Sequence, residues 1–554
     1  MGLFFFVLGF LSLTGVDLVG WAVYPTKWVV NPVATIAKVP KKGKKPHYGA
    51  IGKPGKAFYA LGKKYGTKDK KDKEGNLIKG SKSFYKDLGW WSIIWTYIIL
   101  SIVTFTGAVA MGWDRKKFFI GWTIIYFMTI AVWFIGHHAF FAASTKPVKA
   151  LVDGKEQAMK QYQLYGLPFS LSLGGGASFI LALIVGLVIG NFFKKFAKYL
   201  GEAAKPEWFI KTAIVYLGVK VGYLAIKGTL IGEKLGAKLG KELGGKMKDL
   251  TLDLFLAGAV ATIVAYLIFW PVVYTVARKL FKLPRKTAAV LGSGISICGV
   301  SAAVATGGAV RAKPVVTIMV SALVVVWAVI ELMVLPVFFT NVYPTTKDPL
   351  VAGAAMGMSV KTDGADAAAG ELMDELMRIK IETDSGGTIK WPEGIITTST
   401  VMTKVWIDMF IGLWAFVLAL VWVYRIDKRQ GETVPLSEVW FRFPKFVIGY
   451  FICWFVYLGV FFVAGGGDPG PEGIHTFKLA KVGAIPVEKG LRKLFFMLTF
   501  MSLGIITDFK KLAEAKFGRM VWVYFVSLFV FIIPIALLIA YLFHHGMTIP
   551  NIAR

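Results

Sequence analysis

Three ionisable residues lie close together in a stretch that otherwise consists of Gly, Ala and apolar side chains. Lys361, Asp363 and Asp366 fall within residues 351–370. In a helix, residues three apart lie on the same face, so the two carboxylates are expected to be neighbours. Two such carboxylates with a lysine can bind a cation, carry a proton or neutralise one another as a structural pair, and the sequence leaves these three options open.

Glu331 and Asp408 each lie alone within an apolar run. An ionisable side chain inside a membrane is costly and is therefore a candidate functional group. Each of the two could relay protons or could be an interior charge with a partner elsewhere in the chain. Glu331, Asp363 and Asp366 are our candidates for carrying a coupling ion or proton.

A second polar cluster lies in residues 291–302, which read Leu-Gly-Ser-Gly-Ile-Ser-Ile-Cys-Gly-Val-Ser-Ala. Glycines expose backbone N–H groups, and a helix that starts after a break points its positive end into the gap. Ser293, Ser296 and Ser301 add hydroxyl donors. This combination suits a dehydrated anion; the alternative is a Gly/Ser-rich helix that packs tightly against another helix.

Motifs for covalent chemistry are absent from the sequence. It contains no Walker loop, no His-Glu-x-x-His and no Gly-x-Ser-x-Gly, and Cys298 has no sequence-local partner that would activate it. His137 and His138 are adjacent, so on a helix they point in different directions and are poorly placed to share a metal. We therefore expect no enzyme activity, no metal site and no cofactor.

The composition excludes a single soluble core. The 554 residues are 56% apolar, with a mean hydropathy of +0.60, and 64 Lys and Arg against 33 Asp and Glu give a net charge of +31. These values are typical of an all-α polytopic membrane protein with basic loops. Two cysteines exclude a disulfide framework, and no zinc-finger spacing or basic–aromatic surface favours nucleic acid as a partner.

Apolar runs of about 20 residues predict the membrane spans. We predict about 12–13 transmembrane helices, within Leu3–Val19, Trp91–Ala110, Phe118–Phe141, Leu167–Gly190, Trp208–Leu230, Leu254–Ala277, Thr287–Val310, Val315–Phe339, Leu350–Gly370, Thr400–Tyr424, Phe446–Ala464, Leu494–Thr507 and Val521–Phe543. The Gly/Ala/Ser-rich segments Thr287–Val310 and Leu350–Gly370 are predicted to be interrupted helices, which are tolerated at membrane depth inside protein.

Three regions follow from this pattern. Residues 1–160 form an N-terminal module of about three membrane helices, residues 161–543 form the core, and residues 544–554 form a short tail. The module contains a Lys-rich loop, residues 38–86, with sixteen Lys and three acidic residues. A solvated loop is the simplest interpretation; the functional one is docking to anionic lipid or to an acidic protein.

The short basic loops indicate an orientation. Arg278–Lys286, Arg425–Arg442 and Asp508–Arg519 alternate with the acidic stretch Glu371–Glu393, so the basic loops are predicted to be cytoplasmic. Counting spans backwards then places the Lys-rich loop outside. This conflicts with the positive-inside expectation, although loops of this length begin to escape that rule.

The residues Gly-Ser-Gly-Ile-Ser-Ile-Cys-Gly-Val-Ser-Ala at 292–302 resemble the sulfate exporter family of YeiH-like conserved membrane proteins, with its Gly-x-Ser-Ile-Cys-Gly-x-Ser-Ala signature. Further segments agree in order. Residues 357–365, Gly-Met-Ser-Val-Lys-Thr-Asp-Gly-Ala, resemble that family's Gly-x-Ser-Val-His, and residues 502–512 resemble its Leu-Gly-Leu-x-Thr-Asp-Phe. The resemblance covers residues 165–543 and leaves the N-terminal module outside.

The resemblance implies a secondary transporter core with inverted repeats and interrupted helices that cross at the midplane. It also implies a substrate site lined by Ser293, Ser296, Cys298, Gly299 and Ser301, faced by Ser359 and Lys361 from the second interrupted helix. Lys361 replaces the family's His and so favours an anionic ligand over a His-type proton relay.

We therefore expect a multi-pass inner-membrane (plasma-membrane) transporter of a small anion of the sulfate, sulfite or sulfonate class, working by alternating access with Na⁺ or H⁺ as the coupling ion. A homo-oligomer is one open option. The alternative function is that of a non-transporting membrane subunit that anchors an enzyme or redox complex.

Overall fold

The structure is a computed structural model. It describes residues 2–14, 16–25, 91–142, 147–152, 155–160, 167–171, 176–235, 237–342, 348–426, 445–508 and 518–552, with residue 510 and short strand segments between 58 and 83. Most of the Lys-rich loop lies outside the described residues. The interpretation of this loop as a docking surface therefore stays a prediction.

Helices make up most of the described chain, as the apolar runs predict. They are α1 Gly2–Phe10, α2 Trp91–Ala110, α3 Arg115–Gly136, α4 Ala139–Ala142, α5 Gly176–Phe192, α6 Lys194–Leu200, α7 Pro206–Leu235, α8 Ala237–Thr275, α9 Arg285–Ser296, α10 Gly299–Ala309, α11 Pro314–Asn341, α12 Pro349–Ser359, α13 Asp363–Asp384, α14 Ile395–Met409, α15 Ile411–Leu420, α16 Phe446–Val463, α17 Pro471–Ile485, α18 Lys493–Ile506, α19 Arg519–Phe525 and α20 Ile533–His544. One 3₁₀ turn and four π-helical segments extend or join these helices, at Leu11–Thr14, Val276–Leu280, Val421–Ile426, Pro486–Arg492 and Val526–Ile532.

Among the described residues, short strands occur in the N-terminal module alone. They are β1 Val16–Asp17, β2 Val23–Pro25, β3 Phe58–Ala60, β4 Lys70–Lys71, β5 Leu77–Ile78, β6 Lys82–Ser83, β7 Pro147–Val152 and β8 Lys155–Lys160. β1 pairs with β6 in parallel, whereas β2–β3, β4–β5 and β7–β8 are antiparallel. In the longest pair, Pro147 lies opposite Lys160 and Val152 opposite Lys155.

The all-α, polytopic fold class is confirmed. Within the described residues, eight helical segments are long and apolar enough to cross a membrane: Trp91–Ala110, Arg115–Gly136, Pro206–Leu230, Glu242–Leu280, Val315–Asn341, Ile395–Ile426, Phe446–Val463 and Arg519–His544. Ala177–Phe192 and Lys194–Leu200, bent by 116°, give a ninth if counted as one span. The other predicted spans are short or interrupted. Leu3–Val19 is divided among α1, a 3₁₀ turn and β1, and Leu494–Thr507 coincides with α18, which has 14 residues.

The first interrupted segment is a hairpin of α9 and α10. Thr306 Oγ1 donates to Ser293 Oγ at 2.7 Å, and Lys286 Nζ lies 3.5 Å from the Arg311 carbonyl oxygen. The two halves therefore run side by side, and both outer ends lie at the same end of the bundle. Each half has 11 or 12 residues, so it is about 17 Å long, or half of the roughly 30 Å hydrocarbon core.

The second interrupted segment, α12 and α13, is a hairpin that enters from the opposite end. Asp348, just before α12, contacts His545 at 3.1 Å. Lys390, after α13, donates its backbone N–H to Asn551 at 2.8 Å, so both ends of this hairpin lie near the C-terminal tail. The resemblance implied helices that cross at the midplane; both segments are interrupted as predicted, but each turns back at its break instead of continuing across.

Four contacts gather the short basic turns at one end of the bundle. The Asp114 N–H donates to Glu202 Oε1 at 3.1 Å, Lys194 pairs with Asp508, Arg519 Nη1 donates to the Phe281 carbonyl at 3.1 Å, and Lys286 approaches Arg311. We call this the basic end; among the described residues it holds 111–117, 193–206, 278–286, 310–313, 508, 518 and 519. The opposite end holds, among the described residues, 342, 348, 385–394 and 545–552. Trp91, which follows the Lys-rich loop, starts α2 at the opposite end, because α2 finishes at the basic end.

The N-terminal module packs directly on the core. Phe6 and Phe10 pack edge-on against Tyr457, with ring centroids 6.1 and 6.3 Å from that of Tyr457, and the Ser12 hydroxyl donates to the Leu479 carbonyl. Gly9 and Gly483 meet so closely that a Cβ on Gly483 would lie 1.7 Å from the Gly9 oxygen. The boundary at residue 160 therefore separates sequence regions whose helices share a common interior.

Candidate functional site: the meeting point of two helix hairpins

The two hairpin turns meet in the interior of the bundle. α9 ends at Ser296 and α10 starts at Gly299, while α12 ends at Ser359 and α13 starts at Asp363. A Cβ on Gly299 would lie 2.6 Å from the Lys361 carbonyl oxygen, so only glycine allows this approach. Two helix C-termini and two helix N-termini thus converge in one place.

Lys404, on α14, binds both turns at once. Its Nζ donates to the Ile297 carbonyl at 3.1 Å and to the Val360 carbonyl at 3.2 Å. These carbonyls lie at the C-terminal ends of α9 and α12, where the partial charge of a helix is negative, so a buried ammonium group is well placed to stabilise them. Lys404 was not among the sequence candidates, although it lies in an apolar span and the argument used for Glu331 would have identified it.

Lys361 lies in the second turn, as predicted. Its ammonium group donates to the Met358 carbonyl and sits 5.5 Å from the centroid of the Phe269 ring. Its backbone N–H donates to Glu331 Oε2 at 3.0 Å. A carbonyl oxygen and an aromatic ring therefore hold this ammonium group in the interior, close to the candidate ligand site.

Glu331 is a paired interior charge. It is fully buried on α11, and besides the Lys361 N–H it accepts the Tyr524 hydroxyl on Oε1 at 2.7 Å. Its carboxylate joins the second turn to the segment that contains α19. This pairing is compatible with a role in proton or ion coupling, which stays a prediction.

The hydroxyl groups of the predicted substrate residues differ in whether they already form hydrogen bonds within the protein. Ser293 accepts hydrogen bonds from Trp270 Nε1 at 2.9 Å and from Thr306, and Ser359 donates to the Ala355 carbonyl of its own helix at 2.7 Å. Ser301 is half-buried on α10. Ser296 is 3% exposed, and its buried hydroxyl makes no hydrogen bond with any described residue. Ser296 is therefore the hydroxyl best placed for a ligand.

The other predicted residues lie at or beside the turns. Cys298 is a buried cysteine that precedes α10, and Gly299 starts that helix. Asp366 is fully buried in the first turns of α13. Asp363 starts α13, but its side chain lies outside the described part of the structure. All the predicted positions thus cluster around the two turns, with Glu331 joined to them from α11.

A second charged region, the ion cluster, lies between the turns and the opposite end. Arg492, with no exposed surface, forms two hydrogen bonds with Glu371, from Nη1 at 2.9 Å and from Nη2 at 3.2 Å. Lys220 and Thr397 also contact Glu371 Oε2, each at 3.3 Å. The sequence indicated an acidic stretch Glu371–Glu393 that alternates with basic loops; most of it is α13, and Glu371 is buried within the bundle.

Asp374 completes the ion cluster by capping α14. Its carboxylate accepts the backbone N–H groups of Gly394 and Ile396 at 3.0–3.1 Å and the Arg378 Nε at 2.7 Å. Gly394 has φ +90°, and a Cβ there would lie 1.8 Å from Lys220 Cε, so glycine is required for both conformation and space.

Glu393 closes the ion cluster at the opposite end. Its carboxylate lies 2.9 Å from Lys493 Nζ and 3.8 Å from Lys489 Nζ. Lys493 foremost, then Lys489 and more distant cations, hold the pKa of Glu393 well below its usual range, against the opposing effect of burial.

The adjacent histidines are engaged separately. His137 Nδ1 lies 3.0 Å from both the Trp133 carbonyl and the Ser178 hydroxyl, while His138 Nδ1 accepts the Phe140 N–H at 3.2 Å. Within the described residues, no group of three or more His, Cys, Asp and Glu side chains is arranged to hold a metal ion.

Comparison with known proteins decides the family. The chain is 42% identical to the UPF0324 membrane protein NE0724 of Nitrosomonas europaea, over 552 residues that cover 99% of this chain and 95% of the relative. The chain belongs to the UPF0324 membrane protein family. Because this match covers nearly the whole chain, the N-terminal module is common to both proteins.

Two further findings agree with this membership. A family profile described as Conserved hypothetical protein 698 matches residues 248–523, which include both hairpins. A UPF0324 membrane protein of Nitratidesulfovibrio vulgaris is 27% identical over 428 residues, covering 75% of this chain and 58% of the relative. No solved structure matches the chain. The comparisons thus show a multi-pass membrane protein family without naming a substrate.

Proposed function

We propose that this UPF0324 protein is a secondary transporter of a small anion, of the sulfate, sulfite or sulfonate class, in the inner (plasma) membrane. The observation that carries the proposal is the meeting of the two hairpin turns around Lys404, whose Nζ contacts the Ile297 and Val360 carbonyls at 3.1 and 3.2 Å. The proposed reaction is translocation, with no covalent step.

The charges at the turns favour an anion. α10 and α13 start there, so their positive ends and their first N–H groups point at the same interior region. Lys361 and Lys404 add two buried ammonium groups, and the Ser296 hydroxyl adds a donor that no described residue uses. A dehydrated oxyanion needs this density of donors.

The symmetry of the hairpins supports alternating access. One hairpin enters from the basic end and the other from the opposite end, so a ligand at their turns is separated from each side by one hairpin and its neighbours. A site near the middle of the bundle, between two oppositely directed repeats, is the arrangement that secondary transporters use. Glu331 and Asp366, which are buried beside the turns, and Asp363, which starts α13, are the proposed carriers of a coupling Na⁺ or H⁺.

The first test is ligand-dependent stability of the purified full chain. Melting temperatures are measured with sulfate, sulfite, thiosulfate, a sulfonate, bicarbonate and a dicarboxylate, with and without sodium, because a ligand that binds only the folded state raises the melting temperature. We expect a selective increase with one oxyanion class. Loss of that increase in Ser296→Ala, with its retention in Ser502→Ala, would place the anion at the turns. Ser502 is a suitable control because its hydroxyl is also buried without a described partner, on α18.

The second test is uptake, into proteoliposomes, of the anion that stabilises the protein. We expect Lys361→Ala and Lys404→Met to abolish uptake, and Lys478→Met, which replaces a half-buried lysine on α17, to leave it unchanged. Unchanged uptake in both turn variants, or no stabilisation by any anion, would contradict the proposal and favour the anchoring function.

A further inference from the structure

The short helix α6 forms an elbow at the basic end. α5 and α6 are bent by 116° relative to one another, so when α5 runs across a membrane α6 lies nearly along its surface. Phe192 and Phe193 at the bend are 80% and 58% exposed, and Phe196 and Tyr199 on α6 are also exposed. A short helix with exposed aromatic side chains at the level of the headgroups is typical of an interfacial anchor.

Cations accompany these aromatic side chains. Lys195 and Lys198 are exposed on α6, and Arg115 and Lys116 are exposed on the first turn of α3. The two groups are adjacent, because α3 packs against α6 and the Asp114 N–H donates to Glu202, just beyond α6.

The carboxylates nearby are already engaged. Asp114 lies 3.2 Å from Lys117 Nζ, Glu202 pairs with Lys205, and Asp508 pairs with Lys194. Among the described residues, no acidic side chain forms an ion pair with Lys195, Lys198, Arg115 or Lys116. This surface therefore presents four cations for anions from outside the chain.

An apolar groove lies directly beside two of these cations. Ile102, Phe105 and Phe119 line it between α2 and α3, and Arg115 and Lys116 stand at its rim. A groove for hydrocarbon with cations at one end matches a molecule that has an acyl chain and an anionic headgroup.

We propose that the elbow, meaning α6 with Phe192 and Phe193 and the α3 residues Arg115 and Lys116, binds anionic glycerophospholipid of the adjacent leaflet. The headgroup phosphates contact the four cations, and the aromatic side chains and the α2–α3 groove take up acyl chain. This assigns the basic end to the more anionic leaflet. The inference does not depend on the transport activity.

The test uses the full chain in vesicles of phosphatidylcholine, alone or mixed with increasing phosphatidylglycerol, and reads the melting temperature. We expect phosphatidylglycerol to raise it for the wild type, with an apparent affinity that falls about fivefold for each elbow charge removed. The test variants are Lys195→Gln/Lys198→Gln, Arg115→Gln/Lys116→Gln and their combination. Lys195→Arg/Lys198→Arg keeps both charges and is expected to respond as the wild type does. Added salt is expected to weaken the response of the wild type.

The control variant is Lys246→Gln/Lys390→Gln, which removes two exposed charges from other surfaces of the chain. It is expected to respond to phosphatidylglycerol as the wild type does. An equal response in the combined elbow variant would overturn the proposal, as would equal losses in the control or the same stabilisation by free inorganic phosphate. A melting temperature in pure phosphatidylcholine that matches the wild type shows that the variants are folded.

Discussion

The hairpin turns and the ion cluster are both buried and both charged, but their cations have different partners. At the turns, Lys404 and Lys361 donate to main-chain carbonyls of Ile297, Val360 and Met358. In the ion cluster, Arg492 meets the Glu371 carboxylate through two hydrogen bonds. At the turns, charged lysines therefore interact with the partial charges of carbonyl groups. In the ion cluster, a charged arginine interacts with a charged carboxylate.

This difference separates a receptive site from a structural one. A carbonyl neutralises only a fraction of a lysine's charge, so the two ammonium groups at the turns can still attract an anion. A bidentate Arg–carboxylate pair leaves little charge uncompensated. Removing either partner leaves the other charge buried and unpaired, which lowers the stability of the folded protein. We therefore expect substitutions at the turns to affect ligand binding most, and substitutions in the ion cluster to affect stability most.

The largest effect on stability is expected for Arg492→Ala. It leaves Glu371 buried with the contacts from Lys220 and Thr397 among the described residues, and breaking a buried pair in this way costs about 3–5 kcal/mol. Reversible unfolding in mixed micelles measures the change. The double variant with Glu371→Ala should recover part of the loss, since it removes the orphaned charge; a double variant no more stable than Arg492→Ala would show that the pair is not the source of the effect.

Lys404→Met is expected to combine a smaller loss of stability with complete loss of transport. It removes two charge-assisted hydrogen bonds and leaves two helix ends uncapped, a cost of about 2–3 kcal/mol. Unfolding and uptake measured on the same preparation separate the two effects. Wild-type uptake with reduced stability would make Lys404 a structural residue only.

Tyr524→Phe sharpens the comparison at the edge of the turns. It removes a 2.7 Å hydrogen bond to the Glu331 carboxylate, for an expected cost of about 1.5–2 kcal/mol. Tyr216→Phe is the matched control, because the Tyr216 hydroxyl is buried without a hydrogen bond to any described residue and its removal should be close to neutral. Similar unfolding energies for the two variants would mean that the Glu331 contact contributes nothing.

The smallest effect is expected for the pH dependence that arises from Glu393. Because Lys493 and its neighbours lower the pKa of this carboxyl in the folded protein, its contribution is fully present above the unfolded-state pKa of about 4.3 and is lost as the pH falls towards the folded-state value. The difference between the melting temperatures of the wild type and Glu393→Gln should be constant above the unfolded-state pKa and should shrink progressively as the pH falls below about 4. Parallel curves over the whole range would contradict this.

The sequence predicts that both segments are interrupted, but not the direction that the chain takes after each interruption. Glycine, serine and isolated charges marked residues 291–302 and 351–370 as interrupted, because such segments are poor lipid-facing spans. Whether each segment crosses or turns back depends on which helices cover it, and composition does not encode that. Lys404 was missed although it lies in a predicted span, because the Thr- and Ser-rich run before it reads as an ordinary polar helix face.

The ion cluster was beyond prediction for a different reason. Arg492 and Glu371 are 121 residues apart, and each lies in a stretch rich in other charges. Nothing local shows which cation meets which carboxylate. The fold class and span positions, by contrast, follow from long apolar runs, which need no knowledge of partners.

The grip of Lys404 on both turns has a mechanical consequence. Its distances of 3.1 and 3.2 Å place the Ile297 and Val360 oxygens no more than about 6 Å apart. As long as both hydrogen bonds persist, the two hairpins cannot slide past one another and must move together as one rigid unit. Two spin labels, one on each turn, should then keep a constant separation through a transport cycle. The distance between a label on either turn and a label on α2 or α3 should change.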